Sequence, residues 1–353
     1  MTYMKQLDLN ELSEKCKNAN QLYNIMFVLL DACDHDCIHC YIPKHTSMGL
    51  PTEQIKQTIV DARKLGALSV TFTGGEILLR KDLFDLIAFA RAQYMRVFLM
   101  SNGASLDESK IEKLGELGIA DYSTTIFSMQ PDIHDKITRR EGSFARTLKN
   151  IHLLKKYNIP VTIKTPLMEI NKYAYREVEE FATSNGFNFM TTTTIFSKTD
   201  GDNYPQSLQI KDGLGEIILE TEKLLAKHQP YEVNTNKQGI PCSAGFNTIC
   251  VNYDGTVWPC NSLLLDLGNV NHSSIIEIWN NSPELKKWRQ LSVQPLKACN
   301  KCSLKNICLR CPGMALLEDG DLYGCSSAAK KIAAEKKKGG IQLCLIKSQN
   351  SKK

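Results

Sequence analysis

The chain has no run of apolar residues long enough to cross a bilayer. Its hydrophobic residues, 42% of 353 positions, fall in short segments broken by charges, whereas a membrane span needs roughly 20 in a row. It also lacks a charge excess of one sign. The 43 basic and 38 acidic residues leave a net charge of +5, and no basic run in the body of the chain is interleaved with aromatics, so nucleic acid is not an expected partner. The opening stretch MTYMKQLDLNELSEKCKNANQ holds no apolar core of the kind a secretory signal carries. No membrane association and a cytoplasmic location are the expectations. Internal repeats and low-complexity segments are absent apart from a lysine-rich stretch, Lys330 to Lys338, which reads as a solvated basic tail over 331–353.

What the chain has in excess is cysteine. Thirteen are present, and Cys33, Cys37 and Cys40 form one group while Cys242, Cys250, Cys260, Cys299, Cys302, Cys308, Cys311 and Cys325 form another, with Cys344 trailing and Cys16 alone. A disulfide scaffold belongs to small, core-poor secreted domains, and a chain of this length with no signal is neither. Spaced cysteines in a reducing compartment point to metal or redox chemistry.

From Asn24 onward, short apolar runs alternate with helix-length amphipathic segments, the rhythm of parallel strands joined by helices. Strands are expected at 24–32, 68–73, 96–101, 122–127, 160–167 and 187–196, with helices at 52–65, 81–94, 107–117, 143–157 and 173–185. Gly66, Gly118 and Gly186 stand where helices end. The fold class is α/β: a partial (β/α)6 parallel barrel over 24–230, preceded by an N-terminal helical extension at 1–23. A small C-terminal cysteine-rich domain should follow over 231–330. A further helix is expected at 214–227, and Val251 to Trp258 reads as a hairpin turning at Tyr253-Asp254-Gly255. Trp258 and Trp279 read as core anchors.

Parallel βα architectures gather reactive groups at the C-terminal ends of their strands. Cys33-Asp-His-Asp-Cys37-Ile-His-Cys40-Tyr41 leaves the first strand, Gly74-Gly75-Glu76 the second, and Ser101-Asn102-Gly103 the third. Three polar features on one face define one pocket. Three thiolates can ligate three irons of a cubane and leave the fourth open; zinc, with His35 or His39 completing a tetrahedron, is the competing reading on spacing alone.

Cys-X3-Cys-X2-Cys followed by an aromatic, on a loop after strand one, resembles the radical S-adenosylmethionine (SAM) superfamily. The resemblance implies a 4Fe-4S cluster whose open iron chelates SAM, with Tyr41 contributing to the adenine site and a 5'-deoxyadenosyl radical as the product of reductive cleavage. Gly74-Gly75-Glu76 resembles the family's GGE motif, whose backbone carbonyls receive the SAM ammonium while the acid supplies negative charge. Ser101 and Asn102 complete the same pocket. The stretch YSTTIFSMQPDIHDKITRREGSF, Tyr122 to Phe144, resembles a family segment with two departures: Thr125 stands in for a serine and Phe127 for an aspartate. The hydroxyl of Thr125 and the guanidinium of Arg146 are the implied partners of the SAM carboxylate. His134 and Asp135 read as bracing a loop.

The later cysteines, with Gly255 and the segment Leu267 to Leu291, resemble the SPASM domain appended to peptide-modifying members. That resemblance implies two auxiliary 4Fe-4S clusters, the nearer held by Cys242, Cys250, Cys260 and Cys311, the farther by Cys299, Cys302, Cys308 and Cys325. Cys308-X2-Cys311 is one residue shorter than a common family spacing, and a zinc ribbon over 299–311 is the alternative. The function implied is a maturase that abstracts hydrogen from a ribosomally made precursor peptide and closes a carbon-carbon or thioether crosslink. A flavodoxin- or ferredoxin-type electron donor is an implied partner. Only some 23 residues precede strand one, too few for a peptide-binding domain, so the core or a separate peptide-binding protein would hold the precursor. An epimerase, a formylglycine maturase, a small-alcohol dehydrogenase, and an iron-sulfur electron-transfer or scaffold protein that never cleaves SAM are the alternatives.

Overall fold

A computed structural model describes residues 8–43, 46–228, 242–292 and 296–338. Its centre is an eight-stranded sheet in the order β6-β5-β4-β3-β2-β1-β7-β8. The strands are β1 (Asn24–Val28), β2 (Ser69–Thr73), β3 (Arg96–Met100), β4 (Asp121–Thr125), β5 (Val161–Pro166), β6 (Asn188–Thr192), β7 (Thr248–Val251) and β8 (Val257–Trp258). The first six run parallel in chain order, as their alternation with helices dictates. The partial barrel expected from the sequence is there.

Alternation within each strand sorts its side chains between two faces. Ile25, Phe27, Val70, Phe72, Val97, Leu99, Tyr122 and Ile163 lie under the helices and are at most 1% exposed; each such side chain contributes about 1.5–3 kcal/mol of burial. The helices Thr52–Lys64, Leu83–Ala92, Glu108–Leu117, Ser143–Lys156 and Tyr175–Ser184 present matching stripes, including Ile55 and Ile59, Leu86 and Ile87, Ile111 and Leu114, and Ile151 and Leu154. Gly118 ends the third of these in the left-handed region (φ +61), which glycine enters without a Cβ penalty.

The structure differs from the sequence expectation in three places. The hairpin at 251–258 forms, but its first strand is β7, which pairs in parallel with β1 through Asn24↔Thr248 and Met26↔Cys250. The cysteine-rich region therefore extends the barrel sheet instead of hanging from it. Second, the lysine-rich stretch is not a solvated tail as far as Lys338: Ser327–Lys338 is a helix packed on the helix Leu214–His228. Ala329 and Ala333 are its buried stripe, and buried Lys336 pairs with Glu222. Residues 339–353, with Cys344, lie outside the described residues, as does the boundary expected near 230. Third, the stretch Tyr122 to Phe144 contains a helix, Pro131–Thr138, whose proline at the first turn is the usual opening. Trp279 is buried as expected; Trp258 is half-buried, and Trp288, 1% exposed, is the larger anchor, donating from Nε1 to Ala244 O at 2.7 Å.

Strand β1 is joined to the cysteine loop by backbone packed too closely for side chains. Gly75 N donates to Leu30 O and Glu76 N to Ala32 O, both at 2.9 Å. A Cβ on Gly75 would stand 2.2 Å from Ala32 O and 2.5 Å from Asp31 O. Gly75→Ala is expected to destabilise the protein by about 1–3 kcal/mol, the usual cost of forcing atoms into a filled space, read as a lowered urea midpoint with an unchanged slope.

Candidate functional site

The loop after β1 is stapled before it reaches its cysteines. Buried Asp31 accepts from Thr46 N at 2.9 Å and from Ser47 N, and Asp31 N and Ala32 N both donate to Ser47 O. Buried Arg80 donates from Nη1 to Leu29 O, Met48 O and Leu50 O and pairs with Asp82 at 2.6 Å. Farther out, Asp36 N and Ile38 N donate to Thr138 O and Ile137 O, at the end of the helix Pro131–Thr138. The loop is fixed at its base and at its crest.

Within this frame the three sequence motifs meet. Glu76, fully buried, accepts from Leu78 N (2.9 Å), from Ser101 Oγ (2.8 Å) and from Asn102 N (2.8 Å). Asn102 Nδ2 then donates to Asp34 Oδ1 at 2.7 Å, inside the cysteine loop, and Asp34 also accepts from Ser105 Oγ at 2.5 Å and His35 Nδ1 at 2.8 Å. Burial pushes Asp34 up, but the bonds from His35, Ser105 and Asn102 outweigh it and hold the carboxyl well below its ordinary range. One continuous network runs from Cys33's neighbours through the second strand's Glu76 to the third strand's Ser101 and Asn102.

The cysteines themselves are positioned to repel one another as thiolates. Burial pushes Cys33 up to about 12, with Glu76, Asp34 and Cys40 adding to it. Cys37 is raised by burial and then by Cys40 and Cys33. Three half-buried thiols within one another's field suit a cation, because binding iron would both discharge the repulsion and release the protons. The residues present therefore fit the cluster. Among the described residues no three His, Cys, Asp or Glu side chains converge on a single-ion position; a cubane takes each thiolate on its own iron. His35 is committed to Asp34, and His39 packs edge-on against Phe127 at 4.9 Å with its Nδ1 buried and unpartnered. A cavity of about 410 Å³ opens beside Cys37 and Cys40, walled by Asp36, Arg139, Lys198 and Tyr204 among others.

Other expected residues have more varied placements. Tyr41 is half-buried, shares a hydrogen bond with Asn261, and lies in the field of both Cys40 and Cys250; burial pushes its hydroxyl up to about 12. Thr125 ends β4 opposite Lys164 of β5. The Arg146 guanidinium is exposed and donates to Glu141 O at 3.0 Å. Asp135 braces the next helix by accepting from Gly142 N, Ser143 Oγ and Phe144 N. Phe127, where the family aspartate would stand, centres an apolar cluster with Ile137, Met168 and Ile195. Sequence reading missed Thr124, Thr147 and Asn150, which fasten the Asn102 loop: both hydroxyls donate to Asn102 O, and Asn150 Nδ2 to Gly103 O and Leu106 O. Thr147 and Asn150 on the buried face of the helix Ser143–Lys156, and Thr124 buried on β4, were the available signal.

The later cysteines separate into two sets by the company they keep. Cys260 is pushed up to about 11 by burial and then by Cys242 and Cys311; Cys250 is raised by burial and then by Cys260. Cys308 is raised by burial and then by Cys299, Cys325 and Cys302. All twelve described cysteines are free thiols.

Burial pushes Glu76 from 4.5 up to about 7 against the three bonds it accepts. Between those values the unfolded chain loses its proton while the native one keeps it, so this group's contribution to stability falls as pH rises. Relative to Glu76→Gln, the metal-free protein should lose up to about 1.4 kcal/mol per pH unit between pH 5 and 7, measured by urea titration of both proteins.

Comparison with known proteins adds to this geometry. The profile described as "Radical SAM superfamily" matches residues 27–183, and one described as "Iron-sulfur cluster-binding domain", SPASM, matches residues 242–303. The chain is 26% identical over 333 residues to an AdoMet-dependent heme synthase of Methanosarcina barkeri, covering 86% of this chain and 94% of that one. It is 25% identical over 324 residues to a PqqA peptide cyclase of Granulibacter bethesdensis, covering 83% and 84%. Among solved structures, Streptococcus suis SuiB bound to S-adenosylmethionine superposes with a TM-score of 0.69 at 16% identity, over 90% of this chain and 80% of that one, a likeness of fold. The first profile covers the thiol triad after β1 and the ends of β2 and β3 to which it is knitted, and the second begins at Cys242 of the later cysteine-rich region: the chain is a radical SAM superfamily enzyme with a SPASM domain.

Proposed function

We propose that this enzyme oxidises a ribosomally made peptide by hydrogen abstraction and closure of an intramolecular carbon-carbon or thioether crosslink. The observation that carries the reading is the division of eight later thiols into two sets of four, Cys242, Cys250, Cys260 and Cys311 in one and Cys299, Cys302, Cys308 and Cys325 in the other. Eight thiols suit two fully ligated cubanes, and closing a crosslink releases an electron that needs an acceptor.

Cys33, Cys37 and Cys40 would hold the SAM-binding cluster, which when bound supplies the 5'-deoxyadenosyl radical that begins the chemistry. The chain's own residues orient and enclose that site. Glu76, Ser101 and Asn102 fix the loop ends on which the SAM ammonium would rest, and Gly74 and Gly75 let backbone approach it. Tyr41 lies in the field of both Cys40 and Cys250, Thr125 stands at the end of β4, and the exposed Arg146 guanidinium is held by Glu141 O. The likeness to a peptide cyclase supports a peptide substrate, which would be met together with a low-potential flavodoxin- or ferredoxin-type donor.

A second reading is oxidation of a tetrapyrrole side chain. Its support is that the similarity to the archaeal heme synthase extends over 94% of that protein. Both would be net oxidations, for which clusters held by the later thiols would offer an electron outlet.

The test is anaerobic reconstitution with SAM and dithionite, offering the peptide encoded beside the gene. The substrate should lose two hydrogens in mass; a product of unchanged mass would indicate epimerisation instead. Cys33→Ala should abolish 5'-deoxyadenosine. Cys250→Ala should lower bound iron from about 12 to about 8 per chain, keep 5'-deoxyadenosine and lose the crosslink.

A further inference from the structure

The face of the sheet turned away from the helices carries a charge that the site described above does not use. On β3, β4 and β5 the residues alternating with the buried Leu99, Tyr122 and Ile163 are Met100, Asp121, Ser123, Thr125, Thr162 and Lys164, and the register sets them side by side: Met100↔Ser123, Ser123↔Thr162, Thr125↔Lys164. This is the concave wall of the partial barrel.

Its two charges are treated differently. Asp121 is satisfied, accepting from Ser123 Oγ at 2.8 Å and Thr162 Oγ1 at 2.7 Å. Lys164 is half-buried and has three N–H groups to place. Among the described residues the acceptor its Nζ meets is the thioether of Met100, at 3.5 Å, a weak one. Asp121 lies within its field, but no hydrogen bond joins the two side chains; each Asp121 oxygen accepts from a hydroxyl. Burial pulls the Lys164 pKa below its ordinary value, and Asp121 offsets this only in part. A cation withdrawn from water without a good acceptor is costly, and a ligand that brings the acceptor recovers that cost.

We propose that this concave wall is a carboxylate-recognising subsite, in which Lys164 pairs with an acid carried by the substrate. The acid could belong to an acidic peptide side chain or to a propionate-type arm of a tetrapyrrole; the chemistry Lys164 reads is the same. Lys164 stands opposite Thr125, at the strand ends where the cysteine loop also sits, so the acid would be held close to the reacting part of the substrate. The inference rests on the proposed function only in requiring that a substrate enters the barrel.

Equilibrium binding to the reconstituted holoenzyme, without reductant, tests it with two matched pairs: coproporphyrin III against its tetramethyl ester, and a blocked pentapeptide with one central glutamate against its glutamine twin. At least one acid should bind about tenfold or more tightly than its neutral twin, the scale of a charge-assisted bond. That preference should fall to within about twofold in Lys164→Met and return in Lys164→Arg, as expected for a charge-assisted contact. Iron content and thermal midpoint show that the variants are folded. Whichever acid shows the preference names the source. If neither acid is preferred over its twin, or if the preference survives Lys164→Met, the proposal is overturned. No turnover is measured, so this result and the two-hydrogen mass loss fail or succeed separately.

Discussion

Everything at the proposed SAM site depends on one close approach, where the turn after β2 lies against the chain leaving β1. Gly75 and Glu76 use their amides to bond Leu30 and Ala32, which removes the room for a Cβ at Gly75 and brings the Glu76 carboxylate beneath the first cysteine. From there Glu76 collects Ser101 and Asn102, and Asn102 returns to Asp34. The acid is thus a structural keystone as much as a source of charge. Its burial is tolerated because three donors meet it.

The same region stores electrostatic tension. The thiols of the cysteine loop are half-buried and near one another, so ionising them together without a cation is unfavourable. A structure built this way couples its metal content to its fold: iron relieves repulsion that the bare chain must avoid by staying protonated. Among the later thiols, Cys242, Cys250, Cys260 and Cys308 are likewise raised by burial, with neighbouring thiols adding to it. Tyr41 stands between the first group and the second, in the field of Cys40 and Cys250 and bonded to Asn261, while β7 carries Cys250 directly beside Met26 of β1. Cys250 thus shares a sheet with the strand that leads into the cysteine loop, and strand pairing sets its place beside that strand.

Much of this was legible in the sequence because it follows from local rules. The parallel strands announced themselves by apolar runs of strand length between amphipathic helices, and glycines such as Gly118 marked the ends. The cysteine loop, Gly74-Gly75-Glu76 and Ser101-Asn102 could be placed at strand ends because each directly follows an apolar run. Less legible were contacts whose partners are far apart in the chain. Nothing local in Thr147 or Asn150 says that they reach back to Asn102 and Gly103, and the alanines of Ser327–Lys338 look like part of a charged tail until the helix Leu214–His228 covers them.

The sequence by itself determined the chemistry available: which thiols, in which spacing, at the end of which strand, since covalent order fixes spacing and periodicity fixes secondary structure. Only the tertiary structure decided how that chemistry is assembled. It turned Glu76 from a motif residue into the node of a network. It set β7 into the barrel sheet beside β1, and it left Lys164 on the concave wall with a thioether for a partner. The physical reason is that burial and hydrogen-bond satisfaction belong to residues brought together from distant parts of the chain, and neither spacing nor periodicity encodes them.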